Sequence, residues 1–266
     1  MLSYERSGPV GTTPLLLVHA GIADRRMWDP VWPSLTADRD VVRVDLRGYG
    51  ESTERPGGAW SPRADVLETL DGLGIDRAHL VGCSFGAGVC VEIALERPAL
   101  VASLVLTAPG GSLLTERTEE LVAFFEAERA AIESGDLDAA AEANVVAWVD
   151  GPHRRPDVVP AAVRDAVRAM QRRAFELTIG WPDEVWEAEQ ELDPEAPERL
   201  GEITAPTLVI TGGLDIDSIG LAADRLLAGI RDVRGVAWPD VAHLPSMERP
   251  DDFAAEVLDW VARAED

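Results

Sequence analysis

An alternation of short apolar runs with helix signals restricts the fold of this chain more than any other feature. The runs LLLVH at 15–19, VVRVD at 41–45, HLVG at 79–82 and SLVLT at 103–107 are rich in Val and Leu and nearly free of charge. Runs this short and apolar suit strands buried on both faces, as in a parallel sheet. Parallel neighbours need crossover connections, so helices are predicted between them. Ser61-Pro62 reads as an N-cap with proline at the first helical position, leading into Val66, Leu67 and Leu70. A helix is predicted over 84–96, ending at Arg97-Pro98, which makes 79–107 a right-handed βαβ unit.

From about 112 to 200 the alternation stops. Strand signals vanish, and Ala, Glu and Arg dominate. Leu121, Phe124, Phe125 and Ile132 recur with a helical period over 117–133, and further helices are predicted over 138–149 and 160–179 around a break at Gly151-Pro152. Trp148, Phe175, Trp181 and Trp186 add aromatic bulk to this stretch. The alternation resumes with TLVIT at 207–211, a helix near 219–229, VRGVAW at 233–238 and a last helix from Pro250 that puts Phe253, Val257 and Val261 on one face. The expected organisation is an α/β core built from 1–111 and 201–266, with a helical cap, 112–200, inserted into it.

Charge excludes several function classes. The 24 basic residues are all Arg, set against 48 acidic ones, for a net charge of −24. Such a surface repels phosphate backbones and anionic lipid, so neither a nucleic-acid nor a membrane partner is expected. The run LLLV at 15–18 falls far short of a membrane span, and MLSYERSGPVG has no apolar signal core, so a cytoplasmic protein is expected. Two cysteines, Cys83 and Cys90, make neither a disulfide framework nor a zinc site.

Chemistry concentrates at Gly82-Cys83-Ser84-Phe85-Gly86, a G-x-S-x-G pattern. The bare pattern is common, but here it follows a buried strand and opens a helix, where a serine can stand on a sharp, strained turn. Only small residues two before and two after such a serine let the chain fold so tightly. Gly82 and Gly86 supply them, and Gly88 is expected to let the helix pack closely on the sheet. A serine nucleophile needs a base. Of the four histidines, His79 opens the strand, His153 lies in the cap and His19 ends the first strand. His243 lies in a loop beyond a strand's carboxyl end, where ligand chemistry collects in open α/β sheets, and is the best base candidate. Asp215 also follows a strand and is the candidate orienting carboxylate; Asp217, two residues on, competes with it.

These motifs together resemble the α/β-hydrolase family nearly end to end. His19-Ala20-Gly21 with Met27-Trp28 resembles the family's oxyanion loop, with Ala20 where Gly is usual. Asp45-Leu46-Arg47-Gly48-Tyr49-Gly50-Glu51-Ser52 resembles its DxRGxGxS turn, and Gly82 to Gly88 its nucleophile elbow, with Ala87 where a third glycine is common. Gly212-Gly213-Leu214-Asp215 resembles its acid loop. His243-Leu244-Pro245, Glu248-Arg249-Pro250 and Phe253 resemble its histidine loop and final helix. Loop lengths are similar to those of 3-oxoadipate enol-lactonases and small-ester esterases. The resemblance implies a mostly parallel sheet flanked by helices, and a Ser84–His243–Asp215 triad acting on a small ester or lactone. It also implies an oxyanion hole from the backbone N–H groups of Phe85 and Gly21, with Ile22 the alternative to Gly21, and no metal or other cofactor. Ile22, Trp148, Phe175, Trp181 and Trp186 are the expected pocket residues. Three readings stay open: an esterase or lactonase, a C–C bond hydrolase or acyltransferase with the same triad, and a silent ligand-binding protein on the same fold. Asp45 and Arg47 are expected to brace loops, and Arg25 and Arg26 to lie on a solvated face.

Overall fold

The computed structural model describes residues 1–266. Its first part runs β1 (Tyr4–Ser7), β2 (Leu15–Val18), α1 (Trp32–Thr36), β3 (Val41–Val44), α2 (Pro62–Gly72), β4 (Ala78–Cys83), α3 (Phe85–Glu96) and β5 (Val101–Thr107). Four helices follow: α4 (Glu119–Glu133), α5 (Leu137–Asn144), α6 (Ala161–Thr178) and α7 (Asp183–Glu187). The chain then returns with β6 (Thr207–Gly212), α8 (Asp217–Gly229), β7 (Val233–Trp238), α9 (Pro245–Glu248) and α10 (Pro250–Glu265). The strands form one seven-stranded sheet in the order β1-β3-β2-β4-β5-β6-β7. Only β1 runs antiparallel to its neighbour.

The sheet is a layer between two apolar clusters, and strand periodicity sorts side chains between them. Leu16 and Val18 of β2 join one cluster and Leu15 and Leu17 the other. Likewise Leu104 and Leu106 of β5 face the first, and Val105 the second. The first cluster takes Val66 and Leu70 of α2 and Val89 and Ile93 of α3; the second takes Phe253, Val257 and Val261 of α10. Each Leu or Val so buried contributes roughly 1.5–3 kcal/mol of transfer free energy.

Three local features depart from the sequence reading. Strand β1 was not foreseen, because an edge strand packs little; three of its four side chains are exposed and it carries no apolar run. The helix predicted over 138–149 ends at Asn144 and continues as a π-helical turn, Val145–Asp150. Arg25, expected on a solvated face, is instead largely buried against Asp45, bonded at 3.0 Å. There its charge is held by a carboxylate that also accepts the N–H groups of Arg25 and Glu51.

Chain order sets the position of the site. From β2 the chain moves outward to β3, then crosses back to β4 and proceeds the other way. Loops leaving the carboxyl ends of β2 and β4 therefore diverge and open a crevice at this switch point. His19 to Ile22 follow β2, and Ser84 follows β4.

Candidate active site

Ser84 sits between the last residue of β4 and the first of α3, with φ 52° and ψ −116°. A non-glycine residue held there costs about 1–3 kcal/mol, so its surroundings must over-determine it. The Ser84 N–H donates to the Thr107 carbonyl at 2.9 Å. Its own carbonyl accepts the N–H groups of Ala87, Gly88 and Gly110 at 2.9, 3.2 and 3.1 Å. A Cβ on Gly82 would lie 2.4 Å from the Gly86 carbonyl oxygen, and one on Gly86 2.3 Å from that of Val18. Both glycines are thus required by backbone, which cannot give way as a side chain can. Gly88 plays a different part from the one expected. A Cβ there would meet the loop after β5, 2.9 Å from the Gly110 carbonyl oxygen, and Gly86 makes the close approach to β2.

Phe85 opens α3, so its N–H has no intrahelical acceptor and stands at the positive end of the helix dipole. Gly21 packs against it: a Cβ there would lie 3.4 Å from the Phe85 Cβ and 3.6 Å from the Tyr49 hydroxyl. His19 holds this corner together. It is fully buried, with Nδ1 2.8 Å from the Ala20 carbonyl oxygen and the Leu46 N–H donating to Nε2 at 2.9 Å. Those partners specify a neutral imidazole protonated at Nδ1, and burial lowers its pKa from the ordinary value.

His243 is also fully buried. Its Nδ1 lies 2.7 Å from Asp215 Oδ2, and its Nε2 has no protein partner. The second Asp215 oxygen accepts the Ile216 N–H at 2.8 Å. The two loops are stitched together: the Gly213 N–H donates to the Trp238 carbonyl at 2.8 Å, and that of Leu214 to Val241 at 3.0 Å. A Cβ on Gly212 would fall 2.1 Å from the Ala242 carbonyl oxygen, so the approach needs glycine. Asp217 instead heads α8 with its side chain exposed, and its N–H donates to Glu120 at 3.0 Å. The remaining histidines are away from this arrangement. His79 is buried 2.8 Å from Ser103 Oγ, and His153 pairs with Glu120 at 3.4 Å on the surface.

The helical segment bonds directly to the histidine loop. The His243 N–H donates to the Trp148 carbonyl at 3.3 Å. Arg154 and Glu248, both buried, pair at 2.6 Å, while Glu248 also accepts the Ala242 N–H at 3.0 Å. Burial raises the pKa of the Cys83 thiol, whose Sγ lies 3.7 Å from the His243 carbonyl oxygen; this is a packing cysteine kept protonated.

The expected pocket residues separate into groups. Trp148 lies over His243 with ring centroids 4.5 Å apart, and Ile22 joins the same apolar cluster. Phe175 and Trp186 line a cavity of about 110 Å³ with Phe85 and Tyr49. Trp181 stacks on Trp186 at 5.2 Å and lies close over Gly48, behind that cavity. Tyr49, Trp60, Gln171 and Glu189 also line the cavity, and the sequence offered no signal for them as pocket residues. They come from separate loops and a helix with no shared motif. Arg47 lines it too, braced by Asp65 at 2.7 and 2.5 Å.

Comparison with known proteins agrees with this architecture. A family profile described as the Alpha/beta hydrolase family matches residues 15–256. The chain belongs to that family, a family of hydrolytic enzymes. It is 31% identical over 279 residues to the protein named Putative carbamate hydrolase RutD of Variovorax paradoxus (strain S110), covering 98% of this chain and 96% of the relative. Among solved structures, a hydrolase from Pseudomonas aeruginosa PA01 superposes with a TM-score of 0.78 at 28% identity, covering 98% of this chain and 94% of the other. The enol-lactonase from Burkholderia xenovorans LB400 superposes with a TM-score of 0.76 at 25% identity, over 98% and 96% of the two chains.

Proposed function

We propose that this chain is a serine hydrolase that cleaves a small, mostly apolar carboxylic ester or lactone through an acyl-enzyme. The observation that carries the reading is the buried 2.7 Å bond from His243 Nδ1 to Asp215, which leaves Nε2 free to accept a proton. In this reading Ser84 Oγ attacks the acyl carbonyl, and His243 Nε2 takes the hydroxyl proton and returns it to the leaving oxygen. Asp215 holds the imidazole tautomer and stabilises the imidazolium. The N–H groups of Phe85 and of Gly21, or of Ile22 one residue along, receive the oxyanion; one such donor is typically worth about 2.7–4 kcal/mol. Water then repeats the sequence on the acyl-enzyme and releases the acid. No step calls for a metal or other cofactor.

The segment 112–200 acts as a cap in this reading. Trp148, backed by Phe124, supplies apolar surface against His243, and Phe175 and Trp186 supply it on the Phe85 side. An apolar cleft disfavours an unpaired charge, and the −24 surface disfavours polyanions. A carbamate presents the same carbonyl, so it belongs in the substrate panel beside esters and lactones.

A fluorophosphonate probe is expected to label Ser84, and Ser84→Ala to abolish labelling and to lower turnover of p-nitrophenyl esters by about 10⁴–10⁶-fold. Labelling of Cys83 or of a serine in the helical segment would overturn the assignment. An unlabelled protein that still binds acyl compounds would favour the silent, ligand-binding reading.

A further inference from the structure

The cavity of about 110 Å³ beside the elbow has an unusual lining for a purely apolar substrate. Tyr49, Trp60, Phe85, Phe175 and Trp186 bring five aromatic rings to it, together with one carboxylate, Glu189. Trp60 and Trp186 meet edge to face with centroids 6.4 Å apart. Glu189 is tied to this wall through the backbone. It forms an isolated parallel bridge with Trp60, in which the Gln190 N–H donates to the Trp60 carbonyl at 2.7 Å and the Trp60 N–H to the Ala188 carbonyl at 3.3 Å. The Trp60 indole N–H also donates to the Val185 carbonyl at 2.9 Å, which fixes the ring relative to the same segment.

The carboxylate of Glu189 has no partner. Arg47, the cation that shares its cavity, is held by Asp65. Arg63, the other cation near it, is engaged with Glu96 at 2.8 Å, Glu92 at 3.4 Å and the Gln190 carbonyl at 2.6 Å. Glu92 and Glu191 are the remaining charges that act on Glu189, and both repel it. Burial first, and then these like charges, raise its pKa against a smaller opposing pull from Arg63, which makes no direct bond to it. Glu189 also lines a wider cleft of about 360 Å³ that shares Pro62 and Phe85 with the cavity and carries Glu92, Glu191 and Glu195 along its wall. Negative charge therefore accompanies the approach to the aromatic cavity, and the cavity adjoins the residue next to Ser84.

We propose that this cavity receives an alkylammonium head group on the substrate, with Glu189 as counter-ion and the rings of Trp60, Trp186 and Tyr49 as its cage. A cation against aromatic rings gains from their quadrupoles, and the gain grows as water is excluded. The carboxylate supplies the opposite charge without which a cation in this cleft would be disfavoured. The inference rests on the ester-hydrolase reading and narrows it to esters or lactones whose otherwise apolar body ends in a small ammonium group.

The test uses an isosteric pair, choline and 3,3-dimethylbutan-1-ol, which differ in a quaternary nitrogen against a quaternary carbon. Titrated into the full chain and followed by tryptophan fluorescence, choline is expected to bind at least about tenfold more tightly than its carbon analogue. Glu189→Gln, isosteric at a half-exposed position, is expected to remove most of that difference, and Trp186→Ala to reduce it. Equal binding of the two alcohols, binding of neither, or a charge preference that survives Glu189→Gln overturns the proposal. Because this readout needs no turnover, it stands apart from the assignment of Ser84. The acetate esters of the same alcohols supply the second arm. A binding preference without hydrolysis of either ester would count against the ester-hydrolase reading and leave the cation site in place.

Discussion

The imidazole of His243 lies 4.5 Å, centroid to centroid, from the indole of Trp148, and its backbone N–H donates to that tryptophan's carbonyl at 3.3 Å. Trp148 stands on the π-helical turn Val145–Asp150, within the segment inserted between β5 and β6. Trp148 is in the last turn of this element, where carbonyls have no intrahelical partner, and its carbonyl is used here to hold the histidine loop. Phe124 adds an edge-to-face contact on the far side of the indole at 5.1 Å. The helical segment and the histidine are therefore one packed unit. Trp148→Ala is expected to leave an overall folded chain whose imidazole wanders, with kcat lowered by about 10²-fold. Steady-state kinetics on a p-nitrophenyl ester, beside a thermal melt, reads this; an unchanged kcat would reduce Trp148 to a packing residue.

Two aspartates close in sequence have opposite surroundings. Asp215 is buried on the imidazole, and Asp217 is exposed at the head of α8. Asp215→Asn presents an amide N–H₂ or a neutral oxygen to Nδ1 and favours the wrong tautomer, with an expected loss of about 10⁴ in kcat. Asp217→Asn should change kcat less than about threefold, its cost confined to the helix dipole. A reversal of the two results would move the acid role two residues along the chain.

Gly86 is the tightest point of the elbow. Its missing Cβ would lie 2.3 Å from the Val18 carbonyl oxygen and 2.5 Å from that of His19. Both acceptors are backbone at the end of β2, so alanine must push α3 off the strand. Gly86→Ala is expected to cost about 1–3 kcal/mol in chemical denaturation. It should also lower turnover, because the shift separates Phe85 from Gly21. Gly58→Ala, at a site with open space around it, is the control and should be near neutral.

Stability should fall on mild acidification through His19. Burial lowers its folded pKa below the ordinary 6.5, so the unfolded chain takes up a proton first as pH drops. Between the two pKa values the unfolded state binds more protons, and stability therefore rises with pH. The His19 contribution is present above about pH 6.5 and is lost as pH falls from there toward the folded pKa, at up to about 1.4 kcal/mol per pH unit. His79, also lowered by burial, acts in the same direction. Half-buried carboxylates whose pKa values desolvation raises, Glu92 and Glu128, act in the opposite one. The informative quantity is thus the difference between wild type and His19→Gln in urea unfolding at about pH 7.5 and 5.5, where the variant should show the shallower dependence. An equal slope in both proteins would remove His19 from the account.

The amino-acid sequence by itself determined what depends on short-range sterics and on two-sided burial. Strands β2, β4 and β5 are legible because every side chain in them is buried, which leaves an apolar run with no alternation. The turn at Ser84 is legible because Gly82 and Gly86 clear one another and the end of β2, a constraint contained largely within five residues. Strand β1 left no trace, since an edge strand held by backbone bonds to β3 needs no apolar pattern. Spacing and motif named Asp215 for His243 but left Asp217 in competition, and the tertiary structure separates the two. Two aspartates on one short loop look alike in sequence, and the bonds from Gly213 to Trp238 and from Leu214 to Val241 decide which of them turns inward. Tertiary structure alone also assembled Tyr49, Trp60, Phe175, Trp186 and Glu189 around one cavity. Tyr49 and Trp60 lie on two loops, Phe175 on α6, and Trp186 and Glu189 on and just after α7, and apart from that last pair nothing local links them. Their meeting depends on how the inserted helices settle on the core, which is fixed by packing between residues more than a hundred positions apart, such as Trp60 with Val185.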